Sequence, residues 1–309
     1  MTTILVTGGC GTLGRAFIEH LAAKKSDEHK VAIEKDAAFW GKHDAIGHRS
    51  HIQIDMPTVR VFSRNDSTQA EMGDALGNPP WLRFLIGDVR DLDRLRLAMR
   101  GVDMVAHCAA LKHVGACERN PAEAMETNAR GTANVVQAAI EAGVKRLVLV
   151  STDKAADPTT TLGASKLAAE RIIVDSAKWT RTALMVARLG NVWNSRGSFP
   201  QRAWAAVSAG RPIQMTDPFA IRYVITAERA GEFVHDVLIG EKTGRIYIPD
   251  MEKMTVRDMA TRAGIREDAP YNYIGLQPGE KFEEVIVGAH ERPVSCPEVR
   301  GGAYLERQA

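Results

Sequence analysis

Ser151-Thr152-Asp153-Lys154 is followed eight residues later by Leu162-Gly163-Ala164-Ser165-Lys166. The two blocks gather hydroxyls, a carboxyl and two amines, the groups that move protons in acid–base catalysis. A carboxyl kept out of water can stay protonated and serve as an acid. A lysine pressed by burial and a second amine can give up its proton and serve as a base. The first block closes the apolar run Arg146-Leu147-Val148-Leu149-Val150, which reads as a buried strand, and the second opens a helix. A tyrosine four residues before Lys166 would complete such a cluster, and Leu162 stands there instead.

A second constellation lies at the start of the chain. Ile4-Leu5-Val6-Thr7 is a strand pattern, and Gly8, Gly11 and Gly14 follow at intervals of three before an amphipathic helix. The first glycine permits a tight turn, the second lets backbone N–H groups approach a pyrophosphate, and the third lets helix and strand pack closely. Thr12 and Leu13 open the helix, whose N-terminus adds donors and a positive dipole end. In this setting the pattern predicts a dinucleotide site. The next strand ends in Ser63-Arg64, where a guanidinium fork and a hydroxyl suit a 2′-phosphate, so NADP is the expected cofactor. The alternative is a solvated Arg64. Asp88 after the third strand can accept from the adenine amino group, or else cap the helix that begins at Asp91.

These groups must be positioned by alternating elements. Strands are expected at Thr3–Thr7, Val59–Ser63, Leu82–Ile86, Met104–His107, Arg146–Val150 and Ala183–Arg188. Helices are expected at Thr12–Ala23, Asp91–Met99, Pro121–Ala142 and Leu162–Ala177. Alternation of this kind predicts an α/β fold: a Rossmann-type doubly wound parallel sheet with ligands at the carboxyl ends of its strands. The sheet domain should span residues 1–188, with an insertion at about 25–58. Residues 189–309, broken by many prolines, should form a smaller substrate-binding cap with some segments returning to the sheet. The insertion carries His29, His43, His48 and His51. It reads as a metal-binding or lid insertion, or as a plain surface excursion. Irregular histidine spacing and the lack of a nearby Cys or Glu partner favour the excursion, and no metal is expected.

Composition excludes several classes. Among 309 residues the net charge is +2, and no basic block or aromatic-interleaved patch points to nucleic acid. Cys10, Cys108, Cys117 and Cys296 show no paired or metal-ligand spacing, so they read as free thiols in a reducing compartment. No signal-peptide pattern and no apolar run of membrane-spanning length is present. A cytoplasmic protein without membrane contact is expected.

The glycine loop, Gly87-Asp88-Val89-Arg90-Asp91, the run His107 to Val114 and Thr127-Asn128-Ala129-Arg130-Gly131-Thr132 together resemble the extended short-chain dehydrogenase/reductases. Ser151-Thr152-Asp153-Lys154-Ala155-Ala156-Asp157-Pro158 with Gly163-Ala164-Ser165-Lys166 is more narrowly similar to the UDP-N-acetylglucosamine 4,6-dehydratases of the polysaccharide-biosynthesis group. So are Gly190-Asn191-Val192 with Ser195-Arg196-Gly197-Ser198, Thr216-Asp217, Arg222-Tyr223-Val224-Ile225-Thr226 and Gly275-Leu276-Gln277-Pro278-Gly279-Glu280-Lys281. The resemblance covers about nine-tenths of the chain, leaving out the insertion and the last dozen residues. Some members of that group carry an apolar residue where Leu162 stands.

The resemblance implies a three-part reaction on one UDP-sugar: oxidation at carbon 4, loss of water across carbons 5 and 6, and hydride return to carbon 6. It implies Lys154 as base and Asp153 as acid; the residues themselves leave the reverse pairing open. Thr152 would hold the carbon-4 oxygen and Lys166 the nicotinamide ribose, with Val89 and Ala109 also on the cofactor. With no phenol at Leu162, the carbon-4 proton must pass through Thr152 and water, to Asp153, or to Lys112 or His113; Asp153 is favoured. Lys112 and His113 are expected at the substrate. Asn191, Arg196 and Ser198 suit a UDP diphosphate, and Arg222 and Glu280 would complete the nucleotide pocket. A homo-oligomer paired through the two long helices is the superfamily expectation. The rival functions are a nucleotide-sugar epimerase of the same superfamily and a non-catalytic NADP-binding regulator, the latter suggested by Leu162.

Overall fold

The computed structural model describes residues 2–24, 57–240 and 242–307. The insertion expected at about 25–58, with its four histidines, lies almost wholly outside the described residues. Six parallel strands form where apolar runs predict them: β1 Thr3–Thr7, β2 Thr58–Ser63, β3 Leu82–Ile86, β4 Met104–His107, β5 Arg146–Thr152 and β6 Ala183–Leu189. They pair in the order β6-β5-β4-β1-β2-β3. The chain builds outward from β1 to β3, then restarts on the other side of β1 with β4. A crevice opens at the carboxyl ends where the winding reverses.

Alternate residues of each strand face opposite layers, and both layers are dry. In β1, Ile4 and Val6 join the cluster of Phe17, Ile18, Phe233 and Val234, whereas Leu5 joins that of Leu95, Val135 and Ala139. Burying each such side chain contributes roughly 1.5–3 kcal/mol, which is why both faces of the central strands are apolar. The covering helices are α1 (residues 12–24), α2 Asp66–Ala75, α3 Leu92–Ala98, α4 Val114–Arg119, α5 Pro121–Met125, α6 Gly131–Glu141, α7 Thr161–Ser176, α8 Phe199–Ser208, α9 Ala227–Ile239 and α10 Val256–Arg262.

Three differences from the sequence expectation have physical causes. The helix expected over Pro121–Ala142 is broken by a π-helical turn at Glu126–Arg130. That wider turn accompanies a second job for Asn128: its Oδ1 accepts from Leu111 N at 2.8 Å, and its Nδ2 donates to Leu111 O at 3.0 Å and Ser165 Oγ at 2.9 Å. Helix α2 has no clear apolar stripe; it buries only Gln69, Met72 and Gly73, and Asn65 caps it. The third concerns Asp88, which caps nothing: Asp91 accepts from Arg94 N and caps α3 itself.

The remaining strands are β7 Asn191–Val192, β8 Ile213–Met215, β9 Ile221–Ile225, β10 Ile246–Pro249, β11 Glu252–Thr255, β12 Tyr271–Tyr273, β13 Glu291–Ser295 and β14 Gly302–Arg307. β10 adds parallel to β6, and β14 and β13 continue the main sheet antiparallel. The other strands form two small sheets, β11-β9-β7 and β12-β8. A separate apolar cluster there, with Ala203, Ile213, Met215, Val256 and Ile265, holds the cap segments together. Among the described residues no helix is long and apolar enough to cross a membrane.

Candidate active site

A cleft of about 1530 Å³ runs along the carboxyl ends of the strands, between the sheet and the cap segments. A single small-molecule pocket is usually about 300–1,000 Å³, so this cleft has room for two ligands side by side. Gly8, Gly11, Thr12, Leu13, Gly14, Ser63, Arg64, Asp88, Val89 and Ala109 line one end. Thr152, Lys154, Lys166, Lys112, His113, Asn191, Arg196, Ser198, Arg222 and Glu280 line the rest. Asp153 alone of the predicted site residues is not on the wall.

The glycine end fits a dinucleotide. Gly8 turns the chain at φ +68°, and a Cβ there would sit 2.7 Å from the backbone of Ala109 on the neighbouring strand's loop. The turn delivers the chain directly into α1, whose first N–H groups face the cleft end. Beyond it, Arg64 is exposed and its guanidinium lies 3.8 Å from Asp88. Partial burial opposes ionisation of Asp88, but hydrogen bonds from Arg90 and the charges of Arg90 and Arg64 outweigh it and hold the carboxyl below its usual range. Arg90 engages both Asp88 oxygens, at 3.1 and 2.8 Å.

Two buried arrangements lie close to the cleft-lining residues. In the first, His107 at the end of β4 is wedged between Thr7 Oγ1 at 2.6 Å and Thr132 Oγ1 at 3.1 Å. Burial, with Lys166 nearby, pushes its pKa down to about 3, so the imidazole is neutral and structural. In the second, α7 approaches so closely that a Cβ on Gly163 would lie 2.4 Å from the Lys154 carbonyl oxygen. The close approach brings Lys166 under the end of β5, where its Nζ donates to Val150 O at 2.6 Å. Burial lowers the Lys166 pKa to about 8, against the smaller opposing pull of Glu170. One turn further along α7, Glu170 meets the fully buried Arg188 of β6 at 2.7 Å, and Arg188 also grips Glu291 of β13. This clasp ties the lysine-bearing helix to the sheet and to the C-terminal hairpin.

Leu162 is buried against Cys117 and Ala124, with Leu111 and Val114 alongside. It closes the cleft wall with hydrocarbon where a phenol would have been polar.

The groups expected to move protons differ from the sequence expectation in two ways. Asp153 is 1% exposed and sits behind the wall; its Oδ1 accepts from Thr152 Oγ1 at 2.8 Å and from Lys154 Nζ at 3.2 Å. Its Oδ2 is buried with no hydrogen-bond partner. Thr152 and Lys154 thus stand between Asp153 and the cleft. The second correction concerns Lys154, expected to be depressed by burial and Lys166. Burial does press it down, but the carboxylates of Asp153 and Glu284 outweigh burial and hold the ammonium above its ordinary range. Of these two lysines, the one whose pKa is depressed is Lys166.

Glu284 escaped the sequence reading. It is buried on the cleft wall with Oε1 3.1 Å from Lys154 Nζ. The signal for it was present but unread: Glu283-Glu284 follows Gly279-Glu280-Lys281-Phe282 directly.

At the end expected to take a substrate, Lys112 Nζ donates to Arg196 O at 2.7 Å, and Arg196 N donates to Thr12 Oγ1 at 3.1 Å. The Asn194–Ser198 loop is thus pinned across the glycine turn. Burial and the Arg196 charge lower the Lys112 pKa, and burial with Lys112 and Arg202 lowers that of His113, favouring a neutral imidazole. Ser198 Oγ is buried without a partner on the cleft wall, a donor and acceptor open to a ligand. Asn191 Nδ2 reaches Tyr223 O at 3.3 Å. Arg222 and Glu280 neutralise each other at 2.7 Å, and Arg222 also donates to Phe282 O at 3.2 Å, so this pair braces the wall.

A family model described as polysaccharide biosynthesis protein matches residues 44–298. The chain is 33% identical over 292 residues to a Campylobacter jejuni protein named UDP-N-acetylglucosamine 4,6-dehydratase (inverting), covering 93% of this chain and 78% of the relative. It is 31% identical over 294 residues to a Rickettsia akari protein named UDP-glucose 4-epimerase, covering 94% and 78%. The solved structure of Pen from Bacillus thuringiensis matches with a TM-score of 0.82 at 30% identity, over 99% of this chain and 88% of that one. The dTDP-glucose 4,6-dehydratase DesIV from Streptomyces venezuelae, solved with NAD and TYD bound, matches with a TM-score of 0.73 over 93% and 88%; at 22% identity it bears on the fold alone.

Proposed function

Because the chain belongs to the polysaccharide biosynthesis protein family, we propose that it is an NADP-dependent 4,6-dehydratase acting on UDP-N-acetylglucosamine. The supporting observation is the Thr152-Asp153-Lys154 array. An epimerase needs a proton acceptor only at carbon 4, whereas a dehydratase needs further proton transfers at carbons 5 and 6. Here the usual place for a carbon-4 phenol is hydrocarbon, and a lysine held between carboxylates faces the cleft.

When bound, the nicotinamide supplies the hydride acceptor for carbon 4 and the donor for carbon 6. Lys166 holds its ribose hydroxyls, and Ser63 and Arg64 hold the 2′-phosphate. Thr152 bonds the carbon-4 oxygen and relays that hydroxyl's proton to Asp153 along the 2.8 Å hydrogen bond already in place. Lys154 works at carbon 5. Arg196, Ser198 and Asn191 take the diphosphate and its sugar, and the Arg222–Glu280 pair keeps that wall in position.

The Rickettsia relative supports an epimerase as the second reading. Incubation with UDP-N-acetylglucosamine and NADP, followed by mass spectrometry and proton NMR in heavy water, separates the two. A product lighter by one water with deuterium at carbon 5 supports the dehydratase. An isomer of unchanged mass refutes it in favour of epimerisation. Untouched substrate with tight NADP binding refutes both and leaves a regulator.

A further inference from the structure

We propose that Glu284 is a catalytic carboxyl of this site, which takes the Lys154 proton before elimination and delivers it to the carbon-6 hydroxyl. This rests on the dehydratase reading and adds a residue to it.

Three observations lead there. First, two buried carboxylates share one lysine: Asp153 Oδ1 and Glu284 Oε1 lie 3.2 and 3.1 Å from Lys154 Nζ. With all three groups ionised the buried cluster carries one net negative charge, which costs free energy unless a proton is gained. Second, only Glu284 of the two carboxylates lies on the cleft wall, whereas Asp153 lies behind it. Third, Glu284 is built into place from a distance of 130 residues in the chain. Lys281 bridges to Asp157 at 2.9 Å, Thr159 Oγ1 donates to Gly279 O at 2.7 Å, and Arg222 holds Glu280 and Phe282. The Pro278-to-Lys281 block is a bracket that seats Glu284 against the loop after β5.

The proton count closes. The carbon-4 proton reaches Asp153 through Thr152 and neutralises one of the two carboxylates holding Lys154 as ammonium. Lys154 then passes a proton to Glu284 and becomes an amine. The amine takes the proton of carbon 5, the C5–H electron pair forms the C5–C6 double bond, and the C6–O bond breaks as Glu284 protonates the departing oxygen to water. Lys154 is again an ammonium and Glu284 a carboxylate. Lys154 next protonates carbon 5 as hydride reaches carbon 6, and the proton held on Asp153 returns to Lys154. Every group ends as it began, with one water lost.

The test is Glu284→Gln, nearly isosteric, with Glu284→Asp as the conservative partner. The assay follows reduced nicotinamide by absorbance in a single turnover, and carbon-5 deuteration and water loss by NMR and mass spectrometry. Glu284→Gln should still form reduced nicotinamide with UDP-N-acetylglucosamine, while carbon-5 exchange and water loss fall by about 10²-fold or more, the usual scale of a lost acid or base. Glu284→Asp should recover part of that loss. Water loss within about threefold of wild type in Glu284→Gln overturns the proposal. So does equal loss of carbon-4 oxidation and elimination in both variants, which marks a purely structural role. Wild-type protein that removes no water overturns the dehydratase reading itself, a result distinct from a dehydratase indifferent to Glu284.

Discussion

Replacing Lys166 with methionine should make the ligand-free protein more stable at pH 7 even though it removes a functional group. Lys166 is 5% exposed, and burial takes its pKa from the ordinary 10.5 to about 8. That difference corresponds to about 3 kcal/mol of penalty on the charged form. Below pH 8 the folded and unfolded chains are both protonated, and the folded state bears the whole penalty. Between pH 8 and 10.5 the unfolded chain binds more protons, so wild-type stability rises with pH, and above 10.5 the penalty is gone. Lys166→Met removes the penalty at every pH but loses the bond to Val150 O, worth about 1 kcal/mol. The variant should therefore gain about 2 kcal/mol at pH 7, and the gain should vanish by about pH 10. Urea unfolding at the two pH values, read as a shift in midpoint at constant slope, measures it. A variant less stable at pH 7, or a difference independent of pH, would refute the assignment of a strained ammonium at this position.

Arg188→Met leaves Glu170 and Glu291 buried without their cation and should cost about 3–5 kcal/mol, seen as a lower Tm in calorimetry; an unchanged Tm would mean the clasp contributes nothing. Leu162→Tyr forces a larger, polar ring against Cys117 and Ala124 and should destabilise by about 1–3 kcal/mol in urea unfolding. Arg64→Ala should weaken NADP binding about tenfold or more, the worth of a charged hydrogen bond, with NAD binding unchanged in titration calorimetry. Equal loss for both cofactors would remove Arg64 from the 2′-phosphate.

Much of the sheet was legible because its signals are local. Ile4, Leu5 and Val6 are apolar on both faces because both faces are covered, and the same holds for Leu147, Val148 and Leu149. Gly8 needs its left-handed turn wherever the rest of the chain lies. Helix α2 was missed because it buries almost nothing, and the π-helical turn because nothing in the sequence nearby announces the partner of Asn128.

The sequence by itself determined which loops meet: residue order and strand spacing place the glycine turn, Ser63-Arg64 and Thr152-Asp153-Lys154 at one edge of one sheet. Only the tertiary structure decided the proton states and the directions in which these groups point. Asp153 is buried and Lys154 lines the cleft, on a loop against which α7 packs closely at Gly163. Lys154 is held charged because Asp153 beside it and Glu284 from a distant segment outweigh its burial, whereas at Lys166 burial dominates and disfavours the charge. Charge stabilisation depends on distances of a few ångströms between groups over a hundred residues apart. Such distances are set by crossovers and packing, which no local pattern encodes.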